Sequence, residues 1–190
     1  MCAPCCSPFF WPFILCSLLT ITSKYVLRLR DRHLWNPSNF GICVIFFLTP
    51  SAVAPLSVQW GNDFTAIVII WALGLFILWR ARRLHVSLTY VAFFLAFSAV
   101  RSLVTDDVFV AEVAPLTGPM YQLFVFFMIT DPRTTVRSRT GRMIVAGAVA
   151  FVEMFLRLSE SIYAPFYALF IVGPIALLIE MLWANRRGRQ

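Results

Sequence analysis

A short apolar helix with a proline at each end is the feature that most constrains this chain. Residues 118–135 read GPMYQLFVFFMITDPRTT. Pro119 suits the first turn of a helix, where its missing N–H is not needed, and Pro132 disfavours helical geometry at Asp131. A helix of about 12 residues is about 18 Å long, whereas the hydrocarbon core of a bilayer is about 30 Å thick. The sequence therefore predicts a helix that stops part-way across a membrane.

The rest of the chain is too apolar for a water-soluble domain. Hydrophobic residues make up 60% of its 190 residues, and the mean hydropathy is +0.80. We predict an all-α, polytopic membrane bundle in contact with the lipid bilayer. The net charge of +7 lies between the apolar runs and not along one face, which argues against nucleic-acid binding. The five cysteines include no second cluster, so neither a disulfide framework nor a zinc site is indicated.

About seven apolar segments alternate with loops of opposite charge. The basic residues fall almost entirely in alternate loops, and the acidic residues 63, 106, 107, 112 and 160 lie in the others. We expect a multi-pass protein of the bacterial inner membrane, and the positive-inside rule predicts that its N-terminus lies outside and its C-terminus in the cytoplasm. The segments are 9–29, 40–48, 64–79, 86–104, 118–131, 143–158 and 162–183.

One membrane domain is expected over residues 1–190, with an anchor and basic loop over 1–33 and two halves over 34–104 and 105–190. The first segment is interpreted as a retained anchor, because positive charge follows its apolar run, whereas in a signal peptide it would precede it. The last segment is expected to be interrupted at Pro165 and at Gly173-Pro174.

The second and fifth segments resemble each other and suggest an inverted repeat. NPSNFGICVIFFLTP and GPMYQLFVFFMITDP both have an early proline, a Phe pair and a closing Thr and Pro. Three crossings separate them, so they enter from opposite sides, and such pairs of broken helices indicate a binding site at the midplane. The helix N-termini, near the N-cap Asn36 and at Thr117-Gly118, would favour an anionic ligand. The alternative is a chance likeness of two Phe-rich runs.

Three ionisable residues near the apolar segments are candidates for ion handling or charge pairing. Glu153 and Arg157 are four residues apart, so they share a helix face and can pair. Charges inside a membrane are functional candidates, and the alternative is a structural ion pair near the outer interface. Asp131 ends the short helix, where the helix dipole disfavours an acid. It needs a backbone N–H or Arg133 as partner, or else it acts with a cation.

No catalytic or metal-binding pattern is present. His33 and His85 each lie beside arginines with no accompanying carboxylate or cysteine, so solvation at the membrane surface is expected and metal ligation is not. The chain has no Ser-His-Asp ordering, Gly-rich phosphate loop or HExxH motif.

Four sequence stretches together carry a family resemblance: NPSNFGI, FFMITDPRTT, the following R-x-x-x-G-R, and YAPFYALFIVGPIALLIE. They resemble the RnfD/NqrB family, whose members are membrane components of the Rnf electron transport complex and of the sodium-translocating NADH:quinone oxidoreductase. The stretches are most similar to a branch named enediyne biosynthesis membrane protein (UnbU-like). The matched positions are Asn36, Pro37, Gly41, Phe126, Phe127, Thr130, Asp131, Pro132, Thr134, Gly141 and Arg142.

The resemblance implies a flavin-binding membrane subunit that passes electrons and is coupled to ion movement, with other subunits of a redox complex as partners. The family attaches FMN to a Thr in a Ser-Gly-Ala-Thr motif that this chain lacks, so FMN or riboflavin would bind noncovalently. The expected cofactor-binding residues are Asn36, Pro37, Asn39, Gly41, Thr117, Gly118, Thr130, Asp131 and Thr134. The alternative is a membrane transporter or accessory protein of a biosynthetic, enediyne-type pathway with no redox cofactor.

Overall fold

The computed structural model describes residues 11–29, 32–48 and 64–187, and predictions for the remaining residues, including the first cysteines and the loop 49–63, lie outside it. The described chain is mostly helical, which confirms the all-α class. Its helices are α1 Trp11–Val26, α2 Pro37–Leu48, α3 Phe64–Arg80, α4 Leu84–Thr105, α5 Phe109–Val113, α6 Pro119–Leu123, α7 Arg139–Leu158 and α8 Ala164–Arg187. A small antiparallel ribbon, β1 Arg28–Leu29 and β2 Arg32–His33, joins α1 to α2.

Each of the seven predicted segments contains a helix in the part of the chain that is described. Two helices, Leu84–Thr105 and Ala164–Arg186, are long and apolar enough to cross a membrane. Four other apolar helices have only 10 to 17 residues, among them Pro37–Leu48 and Pro119–Met128. The short helices were therefore predicted correctly, whereas helix length alone does not establish seven crossings. Helix α5 and the 3-10 turn Ala114–Thr117 were not predicted.

Local capping explains where the two short helices begin. The Oδ1 atom of Asn36 accepts hydrogen bonds from the backbone N–H groups of Ser38 and Asn39 at 3.1 and 3.2 Å. Asn36 is thus the N-cap of α2, and Pro37 is its first residue, as the sequence predicted. In the same way, Pro119 is the first residue of α6.

The predicted interruption of the last segment is wrong. Helix α8 is continuous, with Pro165 in its first turn and Pro174 in its interior. A first-turn proline needs no N–H, so Pro165 costs the helix nothing. An interior proline has no N–H for the carbonyl four residues earlier, which for Pro174 is the carbonyl of Phe170. The indole N–H of Trp35 donates to this carbonyl instead.

The short helix of residues 119–128 lies inside the hydrophobic core. Tyr121, Phe124 and Phe126 are all buried. A Cβ atom added to Gly74 of α3 would lie 2.6 Å from the ring of Phe126. The absence of a side chain at Gly74 therefore lets α3 pack directly against the short helix.

The second half of the short helix, Phe124–Met128, is a π-helical turn that the sequence did not predict. Its carbonyl groups bind side chains from other elements. The Ser87 hydroxyl of α4 donates to the carbonyl of Val125 at 2.9 Å, and the Asn36 amide donates to that of Met128 at 3.3 Å. Side chains of neighbouring elements therefore satisfy carbonyl groups of this irregular turn.

Candidate functional site

The loops that carry the basic residues meet at one end of the bundle, which we call the basic end. Glu180 of α8 accepts hydrogen bonds from the Arg32 guanidinium at 2.7 Å and from the Arg137 backbone N–H at 2.6 Å. Arg32 also donates to the carbonyl of Thr135. Burial lowers the pKa of the Arg83 guanidinium, which lies at the turn between α3 and α4. Electrostatic repulsion by Arg142 and Arg32 lowers this pKa further.

The two segments with similar sequences contact each other at this basic end. Asp131 accepts hydrogen bonds from the backbone N–H of Arg133 at 3.0 Å, from the Thr134 hydroxyl at 3.1 Å and from the Asn36 amide at 3.3 Å. The backbone partner expected for Asp131 is therefore present. We call this contact between the start of α2 and the end of the short helix the Asn36–Asp131 joint.

The Asn36–Asp131 joint leaves little room for a cofactor. The cavity lined by Asn36 and Thr134 has a volume of about 20 Å³. Sites for small molecules usually have volumes of about 300–1,000 Å³. The cavity at the joint is therefore much smaller than such sites, although five predicted cofactor residues lie in or beside it: Asn36, Pro37, Thr130, Asp131 and Thr134.

Two other predicted cofactor residues serve helix packing. The Asn39 amide donates to the carbonyl of Phe166 at 3.1 Å. A Cβ atom added to Gly41 would lie 2.2 Å from Oγ1 of Thr20 and 2.9 Å from the carbonyl oxygen of Cys16. Gly41 thus allows α1 and α2 to pack closely and leaves no space for a ligand between them.

The remaining predicted residues, Thr117 and Gly118, lie in a different place. Both line a cleft of about 720 Å³, which we call the Arg101 cleft. About ten residues of helix separate Gly118 from the Asn36–Asp131 joint, which corresponds to about 15 Å. The two helix N-termini, expected to share one ligand, are therefore far apart.

The Arg101 cleft is rich in charged side chains. Arg101 and Glu112, both largely buried, form an ion pair on its wall. The cleft is also lined by the charged residues Asp107, Arg157 and Glu160 and by Tyr121. Its volume suits a small polar molecule, and its side chains offer both charges.

A buried hydrogen-bonded cluster lies next to this cleft, formed by Tyr90, Tyr121, Glu153 and Arg157. The Glu153 side chain is only 1% exposed. One of its carboxylate oxygens accepts from the Tyr90 hydroxyl, and the other accepts from the Tyr121 hydroxyl and from Nε of Arg157 at 3.1 Å. The ion pair that the i, i+4 spacing predicted is therefore formed. We call these four residues the Glu153 cluster.

The Glu153 cluster connects the cleft to the protein interior. Tyr121 and Arg157 line the cleft and also contact Glu153. The Arg157 guanidinium lies over the rings of Phe94 and Tyr121, at 5.2 and 5.1 Å from their centroids, so the rings stabilise its charge. The cluster can bind an ion or transfer a proton between hydroxyl and carboxylate groups.

Tyr90, Tyr121 and the pair of Arg101 with Glu112 were not predicted as site residues. A tyrosine hydroxyl within an apolar helix needs a hydrogen-bond partner, and this signal was available from the sequence for both tyrosines. The partner itself, Glu153, lies 63 and 32 residues away, so only the fold identifies it.

Comparisons with known proteins identify no family. No protein-family model matches the chain, and no curated protein is significantly similar to it. In residues 11–29, 32–48 and 64–187, no three His, Cys, Asp or Glu side chains are grouped so that they could hold a metal ion.

Proposed function

We propose that this chain is a multi-pass protein of the bacterial inner membrane that handles a small polar solute or ion through the Arg101 cleft. The observation that carries the proposal is the carboxylate of Glu153, 1% exposed, beside a cleft of about 720 Å³. Ionisable groups inside a membrane are costly and usually mark the path of a substrate or ion. The proposal favours a transport role over an enzymatic one.

The distribution of polarity supports a membrane location. Large apolar side chains project outward along the helices: Phe76 is 61% exposed, Leu103 82% and Leu182 64%. The charged pairs of Arg101 with Glu112 and of Glu153 with Arg157 lie inside. Apolar surface of this extent is unusual on a soluble monomer, whereas lipid would cover it.

The separation of charged loops supports the proposed topology. The basic loops at Arg32, Arg82 and Arg137 lie at the basic end, and the acidic loop before the short helix lines the Arg101 cleft at the other end. With the basic end in the cytoplasm, the cleft opens to the outside and the C-terminus lies inside. The seven segments would then form the membrane bundle, with the short helix of residues 119–128 enclosed by the longer ones.

Ion flux in proteoliposomes tests the role of the Glu153 cluster. We expect a membrane potential to drive proton or sodium flux, measured with an internal pH or sodium dye, and Glu153→Gln to reduce it at least tenfold. The substitution keeps the volume and the acceptor oxygen but removes the charge. The matched control is Asp106→Asn, which removes an exposed charge outside the cleft lining and should leave the flux unchanged.

A folded Glu153→Gln protein with full flux would contradict the proposed path. Folding is checked by size-exclusion chromatography and thermal unfolding in detergent. The exchange of both partners, Glu153→Met with Arg157→Met, gives a second test when Tyr90→Phe and Tyr121→Phe are added, because a buried pair replaced by apolar residues often keeps its stability when no buried hydroxyl loses its acceptor. That variant should also lose the flux.

A second candidate is the flavin-binding subunit of a redox complex, which the sequence resemblance implies. The observation in its favour is that the Arg101 cleft has the volume of a cofactor site and contains Thr117 and Gly118, two of the expected cofactor residues. There, Arg101 and Arg157 would hold the flavin phosphate. A bound flavin would supply one- and two-electron transfer.

A visible absorption spectrum of the purified protein separates the two candidates. Flavin bands at near-stoichiometric intensity, lost on Arg101→Gln or Arg157→Gln, would favour the redox subunit. A colourless protein that still conducts ions would favour the transporter or accessory role.

A further inference from the structure

A second cleft, lined mainly by nitrogen-bearing side chains, lies at the basic end where α3 turns into α4. Its volume is about 480 Å³. We call it the Trp79 cleft, and its lining residues are Trp79, Arg80, Arg82, Leu84, His85 and Arg139. No acidic side chain of the described chain lines it, so its potential is positive.

One buried nitrogen atom of a cleft-lining side chain lacks a partner in the described chain. Nε2 of His85, which lines the cleft, is buried and makes no hydrogen bond within the described part of the chain. Nη1 of the neighbouring Arg83 and Nε of Arg142 are likewise buried without a partner among the residues that the structure describes, although neither residue lines the cleft. Buried polar atoms in proteins are nearly always paired with protein or water. An anionic group in the cleft would give His85 an acceptor that the described residues do not supply.

The end of α3 places the Arg82 side chain at the cleft. The N–H of Arg83 bonds to the carbonyl of Leu78 at 2.9 Å, and that of Arg82 to the carbonyl of Trp79 at 3.1 Å. These bonds form the Schellman motif that ends α3, with Arg82 at the left-handed position with a φ of 54°. Glycine is favoured at this position, and the Arg82 side chain lines the cleft.

The apolar part of the cleft indicates the kind of ligand. Trp79 is 68% exposed and continues the exposed apolar side of α3, which includes Phe76. Basic pockets between helices on the cytoplasmic side bind anionic lipid headgroups, and tryptophan is enriched at this membrane interface. We propose that the Trp79 cleft binds the phosphate headgroup of an anionic lipid, with Trp79 and Leu84 against its upper acyl chain. The proposal rests on the membrane location proposed above.

Lipid retention measured by native mass spectrometry tests this site. The full chain is delipidated, placed in nanodiscs that contain equal amounts of phosphatidylglycerol and phosphatidylcholine, and released for analysis. We expect at least a tenfold preference for bound phosphatidylglycerol, reduced to less than twofold in the variant Arg82→Gly with Arg139→Gln. Arg139→Gln alone, at an exposed residue, should give an intermediate loss. Glycine suits the backbone at position 82, so the double variant should fold.

The matched control is Arg133→Gln with Arg186→Gln, which removes two exposed charges from the same end but outside the cleft. If the control and the cleft variant lost the preference for phosphatidylglycerol equally, the proposal would be overturned. The lipid would then be attracted by the total positive charge at this end and not by the cleft. Displacement of the lipid by 10 mM sodium phosphate would overturn the lipid assignment in favour of a soluble phosphate.

Carbonate extraction tests the membrane location separately. A protein that is extracted, yet retains phosphatidylglycerol through Arg82 and Arg139, would overturn only the membrane proposal.

Discussion

Trp35 and Phe170 are joined by a hydrogen bond that a proline makes necessary. The indole N–H of Trp35 donates to the carbonyl oxygen of Phe170 at 2.9 Å. In a regular helix that carbonyl would accept from the N–H four residues later, but that residue is Pro174. The Trp35 and Phe170 rings also pack, with centroids 5.5 Å apart. The stretch before α2 thus carries the donor that lets α8 continue.

We expect Trp35→Phe to destabilise the protein by about 1–3 kcal/mol, since the Phe170 carbonyl would lose its donor in a partly buried place. The measurement is the free energy of unfolding in mixed micelles. The reference is the same substitution in a Pro174→Ala background, where position 174 regains a backbone N–H for that carbonyl. Trp35→Phe should cost less there, and an equal cost in both backgrounds would show that only ring packing matters.

The contribution of the Asn36–Asp131 joint to stability can be measured separately from that of the N-cap of α2. Asn36→Ala should cost about 2 kcal/mol, since it removes the N-cap and the contacts with Met128 and Asp131. Asn36→Ser keeps a good N-cap but is too short to reach Asp131, so it should cost about half as much. Thermal unfolding of both variants measures the difference. If Asn36→Ser is as stable as the parent protein, the joint contributes nothing.

Close packing of α1 on α2 predicts a large effect at Gly41. Gly41→Ala should destabilise the protein by about 1–3 kcal/mol, because the new methyl group would overlap Thr20 and the Cys16 backbone. The matched comparison is Gly41→Ala in a Thr20→Ala background, since Oγ1 of Thr20 is the atom nearest the added Cβ. Gly41→Ala should cost less there, although the Cys16 carbonyl oxygen still lies 2.9 Å from the added atom. A Gly41→Ala protein as stable as the parent would refute this packing.

His33 should make stability depend on pH. Burial lowers the pKa of His33 from its ordinary value of about 6.5, and Arg28 and Arg133 lower it further, against the opposing effect of Asp131. The unfolded chain therefore binds this proton at a higher pH than the folded protein does. Stability should be fully present above about pH 7 and fall as the pH drops through about 6.5 towards the lower folded pKa.

Unfolding free energies measured between about pH 7.5 and 5.5 check the role of His33. His33→Gln, which does not titrate, should reduce the pH dependence while it preserves a polar side chain of similar size. The remaining slope includes His85, whose pKa is also lowered by burial and by neighbouring arginines. An unchanged slope in the variant would assign the pH dependence to other groups.

The starts of the short helices could be predicted from the sequence because their causes are local. Asn36 caps α2 through the N–H groups of its next neighbours, and Pro119 sets the first turn of α6. The continuity of α8 could not be predicted in this way, because the donor that compensates Pro174 is Trp35, far away in sequence.

The candidate site was predicted less completely than the fold. Glu153 and Arg157 were found from their helical spacing, which is a local relation. Tyr90 and Tyr121 join them only through the packing of α4, the short helix and α7. The expected flavin-binding residues were chosen from motifs and helix ends, and neither gives the volume of a cavity.

The contact of Gly74 with Phe126 has a consequence for evolutionary variation in this chain. The ring of Phe126 occupies the space that any side chain at position 74 would need. A homologue with a larger residue at 74 should therefore carry a smaller one at 126, or hold its third helix farther from the centre. Substitutions at these two positions should be correlated across species, and a sequence survey in which they vary independently would mean that the backbone there adapts freely.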